Sequence, residues 1–318
     1  MESGRADLCA RLFAETDLDG VHTHGLNRFP RFLSMIRRGL VDVHARPRLV
    51  AAHGSLERWD GRGGTGNLNA HDSMARAVEL AREHGAGVVA LANTNHWMRG
   101  GSYGWQAADA GCLALCWTNT MPNLPPWGAS DPRLGNNPLV VAVPRPSGHV
   151  VLDMAMSQFS YGALQAYRER GELLPVPSGF DSEGRLTRDP AAVEASWRPL
   201  PVGFWKGSGL ALVLDLLAAI LSGGRATHQI AADPEAETGL SQVFVALDPA
   251  ALGDTDAASR AAEEIVAHLQ APAHGGARVR YPGERVLETR RRNLAEGVPV
   301  DPSVWEEVRG FGTMNAER

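Results

Sequence analysis

The chain has 318 residues, a net charge of −5 and 44% hydrophobic residues, the profile of a folded protein with ample core divided between two or three packed lobes. It carries no sustained Lys/Arg run, so the electrostatic footprint of a nucleic-acid binder is missing. Its one basic cluster, Arg290-Arg291-Arg292, is flanked by Glu284, Glu288 and Glu296 and reads as a solvated face.

Residues 5–16 have the spacing of an amphipathic helix, with Leu8, Leu12 and Phe13 on one face and Asp17-Leu18-Asp19-Gly20 as its stop. Cys9, in this helix, joins Cys112 and Cys116 in a set that fits neither a disulfide framework nor a zinc spacing. The N-terminus shows no basic-then-apolar signal, so a cytoplasmic location is expected. "GVHTHGLNRFPRF" follows. Phe29, Phe32, Leu33 and Ile36 set a second helix that closes at Gly39, and Pro30 must lie in its first turn, because its ring blocks a hydrogen bond further in. Asn27 is then the expected N-cap, which leaves His24 in the entering loop and Arg28 in the first turn, near the positive end of the helix dipole.

Residues 69–84 read as a helix, and "GVVALANTN" as a buried strand that runs into a polar loop. "CLALCWTNT" (112–120), "LVVAVP" (139–144) and "VVLDMAMS" (150–157) are further strands, with the Pro/Gly/Asn-rich "MPNLPPWGASDPRLGNNP" between the first two. A helix to about Arg170, a loop-rich stretch over 176–204, a helix over 207–222 and the strand "SQVFVAL" come next. The apolar run Leu210 to Leu221 contains Asp215 and is short for a bilayer, so no membrane partner is expected. Two C-terminal helices end the chain, one stopping at Gly297 and one opening at Asp301-Pro302. Strands and helices do not alternate as in a plain doubly wound sheet.

Four motifs bear on chemistry. "GRGGTG" (61–66) satisfies G-x-G-x-x-G, but the preceding "SLERWD" is polar rather than a buried strand, so a flexible surface turn is the better reading. "FWKGSGLALVLDLL" puts Lys206 and two glycines at a helix start, which suits either a pyrophosphate or close helix packing. "NTNHWMRGGSYG" places His96 and Arg99 in a strand-end loop, where ligand contacts concentrate; a histidine bonded to nearby backbone is the competing reading. His22 and His24 lack the third and fourth ligands of a metal site, so no metal is expected. An acid/base His24 beside Arg28, which can clamp a carboxylate, is better motivated, and His22 reads as structural or exposed.

The blocks "VHTHGLNRFPRF", "ANTNHWMRGGSYGWQAADAG", "WTNTMPNLPPWGASDPRLGNNPLVVAVP", "LDMAMSQFSYG", "FWKGSGLALVLD" and "YPGERVLETRR…GVPVDPSVW" resemble the malate/L-lactate dehydrogenase family of non-Rossmann NAD(P)-dependent oxidoreductases, over about residues 5 to 309. Within it they are most similar to the branch that reduces a 2-keto sugar acid, with malate, lactate, sulfolactate, ureidoglycolate and cyclic imino acids as alternative substrates. Relatives of this pattern begin roughly one helix earlier. They commonly have Ser where Thr23 stands here, which keeps the hydroxyl.

The resemblance implies an α/β (α+β) fold with a largely antiparallel central sheet and a helical N-/C-terminal lobe. Residues 1–50 with 285–318 would form that lobe, carrying the catalytic histidine and homodimer contacts. Residues 51–284 would form the cofactor-binding sheet domain, with a loop-rich insertion near 171–204. It also implies NADH, with NADPH as the alternative, bound by Asp153, Met154, Ala155, Met156, Ser157, Gln158 and Phe159, by Trp205 and Lys206, and by Gly283, Glu284 and Arg285. The catalytic histidine falls on His24, with Asp181 of "FDSEG" beside it. Arg28, His96 and Arg99 are the expected contacts to a small anionic keto acid, Arg28 holding its carboxylate.

Overall fold

Helical spacing of apolar residues brings Cys9, Leu12 and Phe13 to one face of the first helix, α1 (Ser3–Leu18), where they meet Phe32 and Met35 of α2 (Phe29–Arg37). The computed structural model describes residues 1–272, 276 and 278–316, with side chains as far as residue 311. Pro30 occupies the first turn of α2. Asn27 is not the cap: residues 26–28 form a short 3-10 turn, Asn27 is exposed, and Arg28 stands at the cap position without a side-chain bond.

The chain continues through a hairpin of β1 (Arg48–His53) and β2 (Leu56–Asp60), then α3 (Gly66–His84) and β3 (Ala86–Thr94), with β2 and β3 parallel. β2 corrects the reading of "SLERWD" as too polar for a strand. Its Glu57 is buried, yet it accepts the Arg76 guanidinium of α3 at 2.7 Å and the Trp59 indole N–H at 2.8 Å, so its charge is paired where it lies. The glycine turn between β2 and α3 is correspondingly buried rather than a surface feature. Asn95 donates to the Gly63 and Gly64 carbonyls at 2.8 and 2.9 Å, and Asn69 to that of Gly61 at 3.0 Å. A Cβ on Gly66 would stand 2.2 Å from the His96 carbonyl oxygen and 2.4 Å from that of Asn95. The start of α3 is therefore filled by the chain's own backbone, in the place where a nucleotide-binding turn would hold phosphate.

The remaining elements are α4 (Gly101–Asp109), β4 (Leu113–Thr118), β5 (Leu139–Val143), β6 (Val150–Met154), α5 (Tyr161–Glu169), β7 (Gly179–Phe180), β8 (Leu186–Thr187), α6 (Pro190–Ser196), α7 (Trp205–Ser222), β9 (Leu240–Leu247), α8 (Thr255–Gln270), α9 (Glu284–Glu296) and α10 (Pro302–Ala316). One mixed sheet runs β1-β2-β3-β9-β4-β5-β6, and every neighbouring pair but β2–β3 is antiparallel. This is the largely antiparallel sheet expected.

Alternation along the strands divides the core. Val89, Leu91, Cys116 and Phe244 face α3 and α4, and meet Met74, Leu80 and Tyr103. Ala90, Trp117 and Val243 face α7, and meet Ala211, Leu214 and Ala218. By length and composition α7 would suffice to cross a bilayer, but this packing and Asp215, which accepts the Asn119 amide at 3.0 Å and the Thr227 N–H at 2.9 Å, tie it to the sheet. Its outer face leaves Leu212, Val213, Leu216 and Ile220 exposed.

α9 returns to the end of α1, and here the solvated reading of Arg290 is overturned. Its guanidinium grips the buried Asp19 at 2.6 and 2.8 Å and lies over the Trp105 ring at 4.6 Å, while Arg291 and Arg292 stay exposed. Helical spacing turns only the first of the three arginines toward α1.

Candidate active site

The turn after α1 is built around the Asp17 carboxylate. One oxygen accepts the His22 Nδ1–H at 2.8 Å, and the other accepts the Leu26 N–H at 2.5 Å. Gly25 is required there, since a Cβ would lie 2.2 Å from Asp17 Oδ2. His22 is thus a structural clasp. The loop it fastens presents His24, whose Nδ1 sits 3.0 Å from the Thr23 hydroxyl.

His24 faces a cavity of about 560 Å³ at the end of the sheet, lined also by Arg28, Arg31, His96, Arg99, Asp153 and Ala155. That size suits a small-molecule site. The His24 and His96 rings stack with centroids 5.8 Å apart and planes 21° apart. Burial lowers the His24 pKa to about 4, with Arg28 and then Arg99 adding to the depression. Burial also holds His96 well below the usual imidazole range, followed by Arg28, His24 and Arg31.

The Arg28 backbone N–H bonds the Gly25 carbonyl at 2.9 Å, but its guanidinium makes no hydrogen bond or ion pair with any described residue. Burial and the like charge of Arg31 lower its pKa to about 10, against the pull of Glu237 and Glu235. Its neighbours are otherwise engaged: Arg31 lies 3.2 Å from Glu235, and Glu237 accepts the Met121 N–H at 3.0 Å. A half-buried cation left without a partner at a cavity wall is a ready seat for an anion.

Arg99 also borders the cavity, but it is only 5% exposed and its guanidinium is committed to Asp19, which Arg290 grips from the other side. Asp153 accepts the Gly101 N–H at 2.8 Å through one carboxylate oxygen. Protein surrounds it, although it keeps surface open to the cavity. Burial raises its pKa, with Arg99 and the Gly101 amide pulling the other way.

Residues far apart in the chain are therefore brought together: His24, Arg28, His96, Arg99, Asp153 and Ala155. Others expected from the sequence lie elsewhere. Asp181 is in the β7–β8 turn, where it accepts the Glu183 and Arg185 amides at 2.9 Å and the Arg185 guanidinium at 3.0 Å. Met156 and Ser157 are buried, and the Gln158 N–H bonds the Leu200 carbonyl at 2.7 Å. Met154 packs against the core on the α7 side, and Phe159 against Tyr167. Trp205, 67% exposed, and Lys206 stand at the open start of α7. Gly283 lies against the Val151 amide, Glu284 is buried and takes the Gln270 amide at 3.0 Å, and Arg285 is exposed. His22, turned to Asp17, does not converge with His24 and His96, and among the described residues no three His, Cys, Asp or Glu side chains form a metal-binding group.

Sequence reading also passed over part of the lining. Thr118, Thr120, Asn123 and Asn136 form an amide- and hydroxyl-rich wall, and the Tyr161 and Trp197 rings of the α5–α6 region meet at 5.0 Å, tilted by 41°, along another side. The density of Asn and Thr in "TNTMPNL…GNNP" was the available signal. Such a wall offers donors and acceptors for a carboxamide or for hydroxyl groups.

Comparison with known proteins gives a consistent result. The malate/L-lactate dehydrogenase family matches residues 1–309. A 2,3-diketo-L-gulonate reductase of Escherichia coli (strain K12) is 43% identical over 313 residues, spanning 98% of this chain and 94% of that protein. Among solved structures, a putative malate/lactate dehydrogenase from E. coli superposes with a TM-score of 0.88 at 28% identity, covering 96% of this chain and 87% of the other. Sulfolactate dehydrogenase from Methanocaldococcus jannaschii gives 0.87 at 26% identity (96% and 88% covered). A Δ1-piperideine-2-carboxylate reductase from Pseudomonas syringae gives 0.82 at 30% identity (93% and 89%).

Proposed function

The chain belongs to the malate/L-lactate dehydrogenase family, and from that membership we propose that it is a reductase of a 2-keto sugar acid, 2,3-diketo-L-gulonate to 3-dehydro-L-gulonate, using NADH. The observation that carries the reading is the unpaired Arg28 guanidinium in the same cavity as the His24 ring. A keto acid needs one cation for its carboxylate and one proton donor for its carbonyl oxygen, and these two side chains answer the two needs.

The nicotinamide cofactor supplies the hydride when bound. Asp153 to Phe159, Trp205-Lys206 and Gly283 to Arg285 are the residues assigned to hold it. The cavity fits its reactive end: Asp153 presents a carboxylate there, and the Thr118, Thr120, Asn123 and Asn136 wall offers partners for a carboxamide. Asp181 is assigned a supporting role in the proton transfer, and the lobe of residues 1–50 with 285–318 carries the proton donor. The same lobe is assigned contacts with a second copy of the chain, making a homodimer, and the exposed apolar face of α7 is further surface for that copy to cover.

With its pKa lowered to about 4, His24 is neutral in the free protein at neutral pH. A carboxylate seated on Arg28 offsets the second cause of that depression, so the substrate itself assists proton uptake by the ring. In the oxidative direction the neutral ring is already the base. Reduction should accordingly quicken as pH falls from 8 to 6, while oxidation of the hydroxy acid, for which the ring stays neutral across that range, changes little. The direct test follows NADH and NADPH oxidation across 2,3-diketo-L-gulonate, pyruvate, oxaloacetate and a cyclic imine, with His24→Asn alongside. Turnover of the sugar acid above the others, lost by ~10²–10⁴-fold in the variant, is expected. Absence of turnover with every 2-keto acid, or near-normal turnover in a folded His24→Asn protein, would refute the reading.

A further inference from the structure

We propose that Glu237 determines which keto acid this cavity accepts: its carboxylate takes hydrogen bonds from hydroxyl groups on the substrate's carbon chain beyond the carbonyl, and repels a second carboxylate there. The inference rests on the reductase reading and deepens it, assigning a residue to the choice among 2-keto acids.

The placement of Glu237 begins in the sequence between α7 and β9. Ile230 and Leu240, on either side of "AADPEAETG", pack with Met121 into a small buried cluster, so the nine residues between them leave and return at one point. Within this loop the Asp233 carboxylate accepts the Glu235 N–H at 2.9 Å and opens a short 3-10 turn, Pro234–Ala236. The turn is fastened to α2 through Glu235. Its carbonyl accepts the Arg38 guanidinium at 2.7 Å, and its carboxylate lies 3.2 Å from Arg31. Glu237 follows on the inner side: it is 6% exposed, lines the cavity with Pro234, and accepts the Met121 N–H at 3.0 Å through one oxygen.

The other oxygen of Glu237 has no partner among the described residues. Carboxylate oxygens accept hydrogen bonds, so a buried one without a donor is a place for an O–H or N–H from a ligand. Neighbouring acceptors on this wall are already used. Asn136 Oδ1 takes the Thr120 hydroxyl at 3.1 Å and the Asn123 amide at 3.3 Å, and Asn123 Oδ1 takes the Asn136 N–H at 2.8 Å. Asp153 is another carboxylate in the cavity, but it stands at the end of β6, in the stretch assigned to the cofactor.

The charge on Glu237 acts on Arg28, yet the two are too far apart to form an ion pair. One cavity therefore offers a cation and an anion with a gap between them. A chain carrying a carboxylate, a carbonyl and hydroxyl groups satisfies Arg28, His24 and Glu237 together. A second carboxylate, as in oxaloacetate, meets the like charge of Glu237, since Arg31 is already paired with Glu235. A methyl group, as in pyruvate, leaves the buried oxygen without a donor.

The test is steady-state kinetics on the full chain with NADH and three substrates: 2,3-diketo-L-gulonate, oxaloacetate and pyruvate. In the wild type, kcat/KM for the sugar acid should exceed that for either of the others by about 10²-fold or more. Glu237→Gln can still take the Met121 N–H through its amide oxygen but lacks the charge. Its kcat/KM for the sugar acid should fall about tenfold, mainly through KM, while that for oxaloacetate rises about tenfold. Glu237→Ala should lower the sugar-acid value about 10²-fold and leave pyruvate and the KM for NADH within about twofold of wild type. Equal losses for all three substrates would make Glu237 a support of the fold alone, and a change confined to the KM for NADH would place it against the cofactor. Either result overturns the proposal. A wild type inert toward every 2-keto acid removes the reductase reading and this role with it. An active wild type whose ranking of the three substrates survives in both variants removes the role of Glu237 alone.

Discussion

Acidification from pH 7 to pH 5 should cost the folded chain about 2 kcal/mol through His24 alone. The ring titrates at about 4 in the folded protein against the ordinary 6.5. Between those values the unfolded chain binds the proton and the folded chain does not, so stability rises with pH across the window. It is complete above 6.5 and lost as pH falls toward 4. At pH 7 the two states differ little in bound protons. At pH 5 the unfolded ring is almost wholly protonated and the folded ring about one part in ten, which gives the ~2 kcal/mol by linkage. His96 acts in the same direction, whereas Asp153, whose pKa burial raises, opposes it at lower pH. The assay is urea unfolding followed by tryptophan fluorescence at fixed protein concentration, at both pH values, in wild type and His24→Asn. The variant keeps every other titrating group, so it should lose about 2 kcal/mol less than wild type on acidification. An identical loss in both proteins would show that the ring is not held neutral by its surroundings.

Three further outcomes follow from the geometry. Arg28→Ala removes a charge-assisted, bidentate seat and should raise KM for 2-keto acids by ~10²-fold, with neutral ketones little affected; equal changes for both classes in steady-state kinetics would rule out the clamp. Asp19→Asn leaves Arg99 and Arg290 sharing a neutral partner in a buried setting. Unfolding measurements should show a loss of about 3–5 kcal/mol, and a loss below 1 kcal/mol would mean the two guanidiniums find other partners. Gly25→Ala pushes a methyl group into the Asp17 carboxylate, releasing the His22 and Leu26 bonds that set the His24 loop. A cost of about 2–3 kcal/mol together with a fall in kcat is expected from denaturation and turnover assays, and an unchanged kcat would show that the clasp does not position the ring.

By itself the sequence determined the elements whose burial is one-sided or complete. The amphipathic spacing of α1 and α2, the apolar runs of β3, β4, β5 and β9, the helix over 207–222 and the stops at Gly39 and Gly297 lie within a few residues of where the pattern puts them. It also placed His24 and Arg28 together, because they sit on two successive short turns at a helix start, and its long shared blocks showed the family. The tertiary structure decided what depends on a partner distant along the chain. "LERWD" becomes a strand because Arg76 pairs with its buried Glu57. The glycine turn is buried because Asn95 and the His96 carbonyl close over it. Arg99 is drawn to Asp19, 80 residues away, rather than left free in the cavity. Periodicity reports which face of an element meets the core. It carries no information on which distant donor satisfies a given charge, since that is settled only when separate elements pack.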